Sequence, residues 1–503
     1  MAQRSSKSSI SLKALFPNED VREFGETQIQ NLCLDSRVVE AGDCFVALPG
    51  DNTDGRGFIS MAIERGAATV LCESDGERFS VSANDSVVQV SVPHLRDRLS
   101  AIAGNLFGHP SEKLTLVGIT GTNGKTTCSQ WLAQVLHRLG SVSASVGTLG
   151  YGICSEELIY NGMTTPDAIE FQKILAKLLQ QGASAVVAEV SSHGLALGRV
   201  ADLNFDVAVV TNISRDHLDF HGDEARYVAA KRELMKFPGL RGVVLNKDDA
   251  YFAEFESAAS APVVTVSLTE CSADYYCSQI KQSAEGMCAM LHTPSGQFEL
   301  KLGIWGEFNL YNILSVVAAA HLCGHPIDNI VACLSELPAV AGRMEPVAVS
   351  TDISVLVDFA HTPDALRAVL SALRQHTGQS QKVWCVFGCG GDRDRGKRPQ
   401  MAEIAEQNAD AVVITSDNPR SENAQQIIED IKAGLVDASR ANVIEDRASA
   451  IGYAIVNAAA GDIVLLAGKG HENYQLIGDE KLPFSDFRCA EMALKQRVGG
   501  VCD

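Results

Sequence analysis

The sequence predicts an α/β protein of three domains built on largely parallel sheets. Short apolar, β-branched runs alternate with helical patterns through most of the chain, the signature of strand and helix layers. The 503 residues exceed what one hydrophobic core organises, and about 150 residues per domain gives roughly three. One apolar run also leads directly into a glycine turn and an amphipathic helix, a strand–loop–helix unit typical of parallel sheets.

The first block, residues 1–112, is a small α/β unit. DCFVAL (43–48), ATVLCE (68–73) and VVQVSV (87–92) read as its strands, with a helix at ISMAIERG. A central block, 113–345, opens with LTLVGIT (114–120) and continues through SAVVAEV (184–190), FDVAVVTNI (205–213) and RGVVLN (241–246). The third block, 346–503, repeats the alternation with ISVLVDFA (353–360), KVWCVFG (382–388), AVVITS (411–416) and DIVLLAG (462–468).

Composition narrows the classes of function. Hydrophobic residues make up 46% and charged residues 21%, which is ordinary for a globular protein and enough for a sizeable core. Lys and Arg number 42 against 62 Asp and Glu, a formal charge of −20; a general nucleic-acid binder needs clustered cations instead. Anionic small substrates must therefore be held by local donors. The N-terminal stretch MAQRSSKSSISLKALF has no apolar core of signal-peptide length, and no stretch approaches the ~20 apolar residues of a membrane span. Fourteen Cys without a CxxC pair suit buried reduced thiols, so the expected compartment is the cytoplasm.

The strongest chemical signal is LTLVGITGTNGKTT, 114–127. Gly121, Thr122, Asn123 and Gly124 form the turn, and Lys125, Thr126 and Thr127 open a helix. Trp131, Leu132, Val135, Leu136 and Leu139 line one face of that helix, with Gly140 as its stop. Backbone N–H groups from Thr122 to Lys125 are expected to face an anion, Lys125 to neutralise phosphate oxygens, and the Thr126 hydroxyl to ligate Mg²⁺. The loop departs from a strict GxxxxGK[ST] pattern, because Ile119 stands where the first glycine belongs. ATP is the expected ligand.

Two strand-end segments carry metal-type ligands: EVSSHGL (189–195), with Glu189 and His193, and NISRDHLDFHG (212–222), with Asp216, His217, Asp219 and His221. Mg²⁺ prefers oxygen donors and keeps its own waters, so one carboxylate plus phosphates suffices. Glu189 is the first choice. Either segment alone also reads as helix caps and turns; both following strands beside a phosphate loop favours the site.

TGTNGKTT, EVSSHGL and NISRDHLDFHG, in this order and spacing, resemble the ATPase domain of the Mur ligases. LDSRVVEAGDCFVALPG (34–50) is similar to the family's uridine-site segment, GEFNLYN (306–312) and GRME (342–345) to its nucleotide-side motifs, and VDFAHTPDAL (357–366) to the start of its last domain. FGCGGDRDRGKRP, TSDNPR and AGKGHENYQ resemble the branch that adds meso-diaminopimelate. The likeness covers residues ~30–490 by these motifs.

The resemblance implies a uridine-binding first domain, a central P-loop ATPase and a Rossmann-like last domain that binds the amino acid. It implies an ATP- and Mg²⁺-dependent carboxylate–amine ligase acting on UDP-N-acetylmuramoyl-L-alanyl-D-glutamate through an acyl phosphate, as a monomer. It also implies roles for single residues. Asn309 and Arg343 join the nucleotide site, with Arg343 catalytic beside Lys125. Lys231 in YVAAKRELMKF matches a carbamylated lysine (N6-carboxylysine), so Lys231 and His217 become the second metal site beside Thr126 and Glu189. By residue type alone, Lys231 reads as a solvated helix lysine. Leu34, Ser36, Thr164, Thr165, Ser191 and Arg199 match contacts to the UDP-muramoyl peptide, although TTPD also reads as a helix N-cap. Arg393, Asp417, Asn418, Arg420, Gly468 and Glu472 match the diaminopimelate site. A lysine-adding sister ligase, a folylpolyglutamate synthase and a P-loop switch protein are the alternatives.

Overall fold

The structure, a computed structural model, describes residues 9–50, 53–74, 76, 78–84, 87–283, 286–349, 351–378 and 380–499; residues 1–8 of the N-terminal stretch read above lie outside them. Two compact units divide the chain. The first takes residues up to 245 with 249–264 and 319–325, and the second takes 246–248, 265–318 and 326 onward.

The first unit holds two sheets. In the smaller, Leu32–Cys33, Cys44–Ala47, Thr69–Glu73 and Val87–Val92 run parallel, and Ser80–Asn84 pairs antiparallel with the last. The helix Leu95–Phe107 covers it. Its Leu95, Leu99, Ile102 and Ala103 recur at helical spacing and are buried with Val46, Leu71 and Val90. It ends at Gly108, whose φ of +73° suits glycine.

The larger sheet orders its parallel strands Ser143–Gly147, Ala185–Glu189, Thr115–Thr120, Val207–Val210 and Gly242–Asn246, with Gly150–Ile153 antiparallel at the edge. Continuous apolar runs form these strands because helices bury both faces. Register matters for the site: Glu189 pairs opposite Ile119 and Val210 opposite Thr120. Three strand carboxyl ends therefore meet at one edge, where α/β sheets bind ligands.

In the second unit, Ser354–Asp358, Ile463–Ala467, Val383–Phe387, Ala411–Ile414 and Ala441–Val443 form a parallel sheet in that order. Leu366, Leu370 and Met401 from two helices pack one face against Leu356, Cys385 and Leu465. Ile451, Ala454 and Ile455 pack the other against Val357, Val386 and Val464. Tyr275–Ser283, Gly286–Thr293 and Gly296–Leu302 form an antiparallel meander that the sequence reading did not foresee. Every strand that it did foresee is present, Val87–Val92 at full length and the others shortened at one or both ends where the chain turns into loops.

Arg447 and Asp486 tie the helices Arg447–Asn457 and Asp486–Gly499 together. Both side chains are fully buried, and the guanidinium donates to the two carboxylate oxygens at 2.7 and 2.6 Å. Arg447→Ala would strand Asp486 without water or a partner cation, and should cost about 3–5 kcal/mol. Urea denaturation checks this; a loss below ~1 kcal/mol would fit a surface pair instead.

Among the described residues no helix is long and apolar enough to cross a membrane. Cys33, Cys44, Cys128, Cys277, Cys385 and Cys389 are buried and unbridged, whereas Cys271 and Cys288 are exposed rather than buried as expected.

Candidate active site

The phosphate-type loop leaves Thr120 through Gly121 and Gly124, whose φ values of +138° and +87° favour glycine. A Cβ on Gly121 would overlap the Thr211 hydroxyl, so this position needs glycine for space as well. Not all of the amides expected to face an anion do so. Thr122 N–H donates to the Asn212 carbonyl at 2.7 Å and Asn123 N–H to the Asn212 side chain at 3.0 Å. Those bonds brace the loop against the next strand. The first helical bond runs from Cys128 N–H to the Gly124 carbonyl at 2.8 Å, so Lys125, Thr126 and Thr127 form the first helical turn, the end of a helix that favours anions. Lys125 Nζ lies over the loop, donating to the carbonyls of Gly121 and Thr122 at 2.8 and 2.9 Å.

Glu189 is fully buried at the adjacent strand end. Its carboxylate accepts from the Thr126 hydroxyl at 2.9 Å, and from the Thr148 N–H and hydroxyl at 2.9 and 3.0 Å. Thr148 also meets the Thr164 hydroxyl at 3.0 Å. Thr165 Oγ1 lies 2.9 Å from the Glu189 carbonyl and accepts from Ser191 N–H at 2.9 Å, while Arg199 donates to the Thr165 carbonyl at 2.8 Å. Thr126, Thr164, Thr165, Glu189, Ser191 and Arg199 thus form one continuous network. Asp167 caps the helix after TTPD, so neither threonine serves as that cap. Thr148 was missed because it lies in a short turn between two unforeseen strands.

Lys231 overturns its reading as a solvated lysine. It is 1% exposed, donates to the Gly121 carbonyl at 2.6 Å and lies 4.7 Å over the Tyr227 ring. Burial, with Lys125 nearby, holds its amine well below the ordinary lysine range. Tyr227 in turn bonds the Thr122 hydroxyl at 2.8 Å. His217 has a φ of +52° and opens the turn Leu218–His221. Its ring is 4.7 Å edge-on from His193, whose pKa burial and the neighbouring His217 and His221 push down to about 4. Burial also lowers His217 and His221, favouring neutral imidazoles. Leu34 and Ser36 follow the first strand of the smaller sheet, Leu34 exposed and Ser36 buried with its hydroxyl 3.5 Å from the Met61 sulfur.

The second unit carries the remaining candidates. Asn309 is buried, donating to the Trp305 carbonyl and accepting from Asn312, both at 2.8 Å. Arg343 stacks 4.7 Å over Phe359. Burial and Arg343 lower the His471 pKa to about 4. Gly342, at φ +64°, abuts the backbone of Gly470 and His471 so closely that a Cβ would overlap them.

The turn Asp417–Arg420 and the loop Gly468–Glu472 interlock. Asn418 donates to Glu472 at 2.9 Å and accepts from Leu476 N–H at 2.9 Å. The Gly468 backbone, at φ +111°, would put a Cβ 3.3 Å from the Asp417 carboxylate. Arg420 has a φ of +52°, uncommon without glycine. The hairpin Tyr474–Pro483 holds it there: Arg420 N–H donates to Leu476 at 3.0 Å, and its carbonyl accepts from Gly478 at 2.8 Å. Its guanidinium donates to the Gly391 carbonyl at 2.8 Å. Arg393 is exposed on the loop after Gly391 and is not drawn into the buried cluster. Sequence reasoning missed Lys469, which lies inside that cluster.

Comparison with known proteins places the chain in a family. The chain matches the Mur ligase family catalytic domain over 28–106, the Mur ligase middle domain over 119–320 and the Mur ligase glutamate ligase domain over 342–470. A relative from Pseudomonas aeruginosa, a UDP-N-acetylmuramoyl-L-alanyl-D-glutamate–2,6-diaminopimelate ligase, is 46% identical over 96% of this chain and 98% of its own. A solved structure of a ligase with that same description is 35% identical, with a TM-score of 0.71 over 98% of this chain and all of the other. The fold is shared with the MurF ligase of Thermotoga maritima in complex with ADP, 20% identical, TM-score 0.63, covering 93% of this chain and 98% of that one. By its three matched domains and its full-length relatives, the chain belongs to the Mur ligase family.

Proposed function

We propose that the chain is an ATP-dependent ligase that joins meso-2,6-diaminopimelate to UDP-N-acetylmuramoyl-L-alanyl-D-glutamate, a cytoplasmic step in peptidoglycan precursor synthesis. The observation that carries the amino-acid assignment is the interlocked turn Asp417–Arg420, where Lys469 pairs with the carboxylates of Asp417 and Glu472 and the Arg420 guanidinium on the same turn bonds the Gly391 carbonyl. A distal carboxylate and a distal ammonium together need such a set. The full-length relatives named for this reaction support the same reading. Residues 1–112, 113–345 and 346–503 would then serve the uridine nucleotide, ATP and the amino acid in turn.

Joining a carboxylate to an amine is unfavourable in water unless the carboxylate gains a leaving group. The γ-phosphoryl group passes to the D-glutamyl side-chain carboxylate, the amine attacks the acyl phosphate, and the tetrahedral adduct collapses to amide and phosphate. Lys125 and the first-turn amides hold the phosphates and offset charge on the transferring group. Arg343 adds a second fixed cation. Thr164, Thr165, Ser191 and Arg199 orient the muramoyl peptide, and Leu34 and Ser36 receive the uridine.

The Thr126 hydroxyl and buried Glu189 carboxylate are the hard oxygen donors that Mg²⁺ takes. When bound, the ion supplies Lewis-acid stabilisation of phosphoryl oxygens. Neutral His217 and the carbamate of Lys231 would serve a second ion. That carbamate forms when the neutral amine bonds the carbon of CO₂ and releases a proton to solvent.

The test is kcat/KM for meso-diaminopimelate and L-lysine in wild type and Arg420→Ala. Wild type should strongly prefer diaminopimelate, since lysine lacks the carboxylate that a guanidinium grips through paired charge-assisted bonds. Arg420→Ala should raise the KM for diaminopimelate and shrink the preference about 10–100-fold, with the KM for ATP little changed. Wild type favouring L-lysine would reject the substrate, and full discrimination in the variant would reject the role of Arg420.

A further inference from the structure

Lys469 is fully buried in the second unit. Its ammonium faces Glu472 Oε2 at 3.0 Å, Asn418 Oδ1 at 3.1 Å and Asp417 Oδ1 at 3.4 Å. An ammonium has three donors and no acceptor, and here each donor has an oxygen to meet. These contacts fix the Asn418 amide: its oxygen accepts from Lys469 and from Leu476 N–H, so its nitrogen must point at Glu472, as it does at 2.9 Å.

The charges have a consequence for substrate choice. Asp417 and Glu472 contribute two negative charges and Lys469 one positive charge that offsets one of them, whereas Arg420 bonds the Gly391 carbonyl and faces Asp392 outside that trio. The nearby buried Arg447 is matched by Asp486 and leaves this balance unchanged. The trio thus keeps one net negative charge for the distal ammonium of diaminopimelate, with the Arg420 guanidinium as the separate cation for its distal carboxylate. Without Lys469 the trio would carry two net negative charges, which favours the lone distal ammonium of L-lysine and repels a distal carboxylate.

We infer that Lys469 is a positioning residue for the amino-acid site, orienting Asn418 and Glu472 and setting a charge balance that favours a zwitterionic substrate end over a cationic one. The inference rests on the diaminopimelate reading above. It predicts that specificity depends on a side chain that touches no substrate.

The experiment compares wild type, Lys469→Met and Lys469→Arg by steady-state kinetics with ATP, the UDP-muramoyl dipeptide, and either meso-diaminopimelate or L-lysine. Lys469→Met should raise the KM for diaminopimelate about 10-fold or more, the scale of a lost hydrogen bond to a charged group. It should lower the diaminopimelate-to-lysine ratio of kcat/KM by a similar factor, with the KM for ATP within about twofold of wild type. Lys469→Arg keeps the charge but presents a planar fork in place of three radial donors. It should raise the KM for diaminopimelate while retaining the preference over lysine, and it carries the test if the Met variant does not fold. A folded Met variant with unchanged preference would overturn the charge-balance role, and an Arg variant with wild-type KM would overturn the positioning role. Loss of affinity for all substrates alike would reduce Lys469 to a general structural residue and overturn both. A wild type unable to use diaminopimelate would reject the functional reading itself, an outcome distinct from these.

Discussion

Lys125→Ala should abolish ligation, lowering kcat by about 10³-fold or more at saturating ATP, because a fixed cation at a transferring phosphoryl group acts mostly in the transition state. The fold should survive. The Lys125 ammonium rests on the carbonyls of its own loop, Gly121 and Thr122, and is only half-buried, so its removal opens no large core cavity. Product formation measures the first claim and the thermal midpoint the second. Near-normal turnover in Lys125→Ala would remove the loop from phosphate chemistry. A collapsed midpoint would mean that the lysine's work is structural.

The second large effect is expected at Lys231. Lys231→Ala should lower activity by about 10³-fold, comparable to loss of a principal charge-stabilising group, and a short carboxylate such as formate or acetate should restore part of it. The side chain is buried against the Gly121 carbonyl and the Tyr227 ring, and burial drives the amine toward its neutral form. A neutral amine is the form that adds CO₂, whereas an ammonium cannot. The proposed carbamate would convert a poor cationic neighbour for Mg²⁺ into an anionic oxygen donor. Added carboxylate should not rescue Lys125→Ala, which lacks a positive charge. High activity of Lys231→Ala without additive would exclude the residue from the mechanism.

The sequence made the parallel strands legible for a physical reason. LTLVGIT, SAVVAEV and DIVLLAG are buried on both faces and therefore read as unbroken apolar runs. Tyr275–Ser283 alternates buried and more exposed residues, and its single packed face gave no such run. Glu189 was legible because a carboxylate ending an apolar strand is conspicuous. Lys231 was not, since its helix Glu224–Arg232 has little amphipathic pattern and lysine is rarely fully buried. Lys469, flanked by glycines, offered no local signal of the three oxygens that surround it; Asp417 and Asn418 lie about fifty residues earlier in the chain.

The glycine at 342 gives the second unit a further property. With its backbone pressed against Gly470 and His471, it joins the segment of Arg343 to the loop Gly468–Glu472 through a direct backbone contact. Lesions on the two sides of that contact should consequently fail to add. Combining Arg343→Ala with Glu472→Gln should differ from the product of the separate effects, as is usual for residues connected through a shared backbone contact. The same contact makes Gly342 an intolerant position although it has no reactive atom. Replacing it with even alanine would pry the two motifs apart and weaken nucleotide and amino-acid use together.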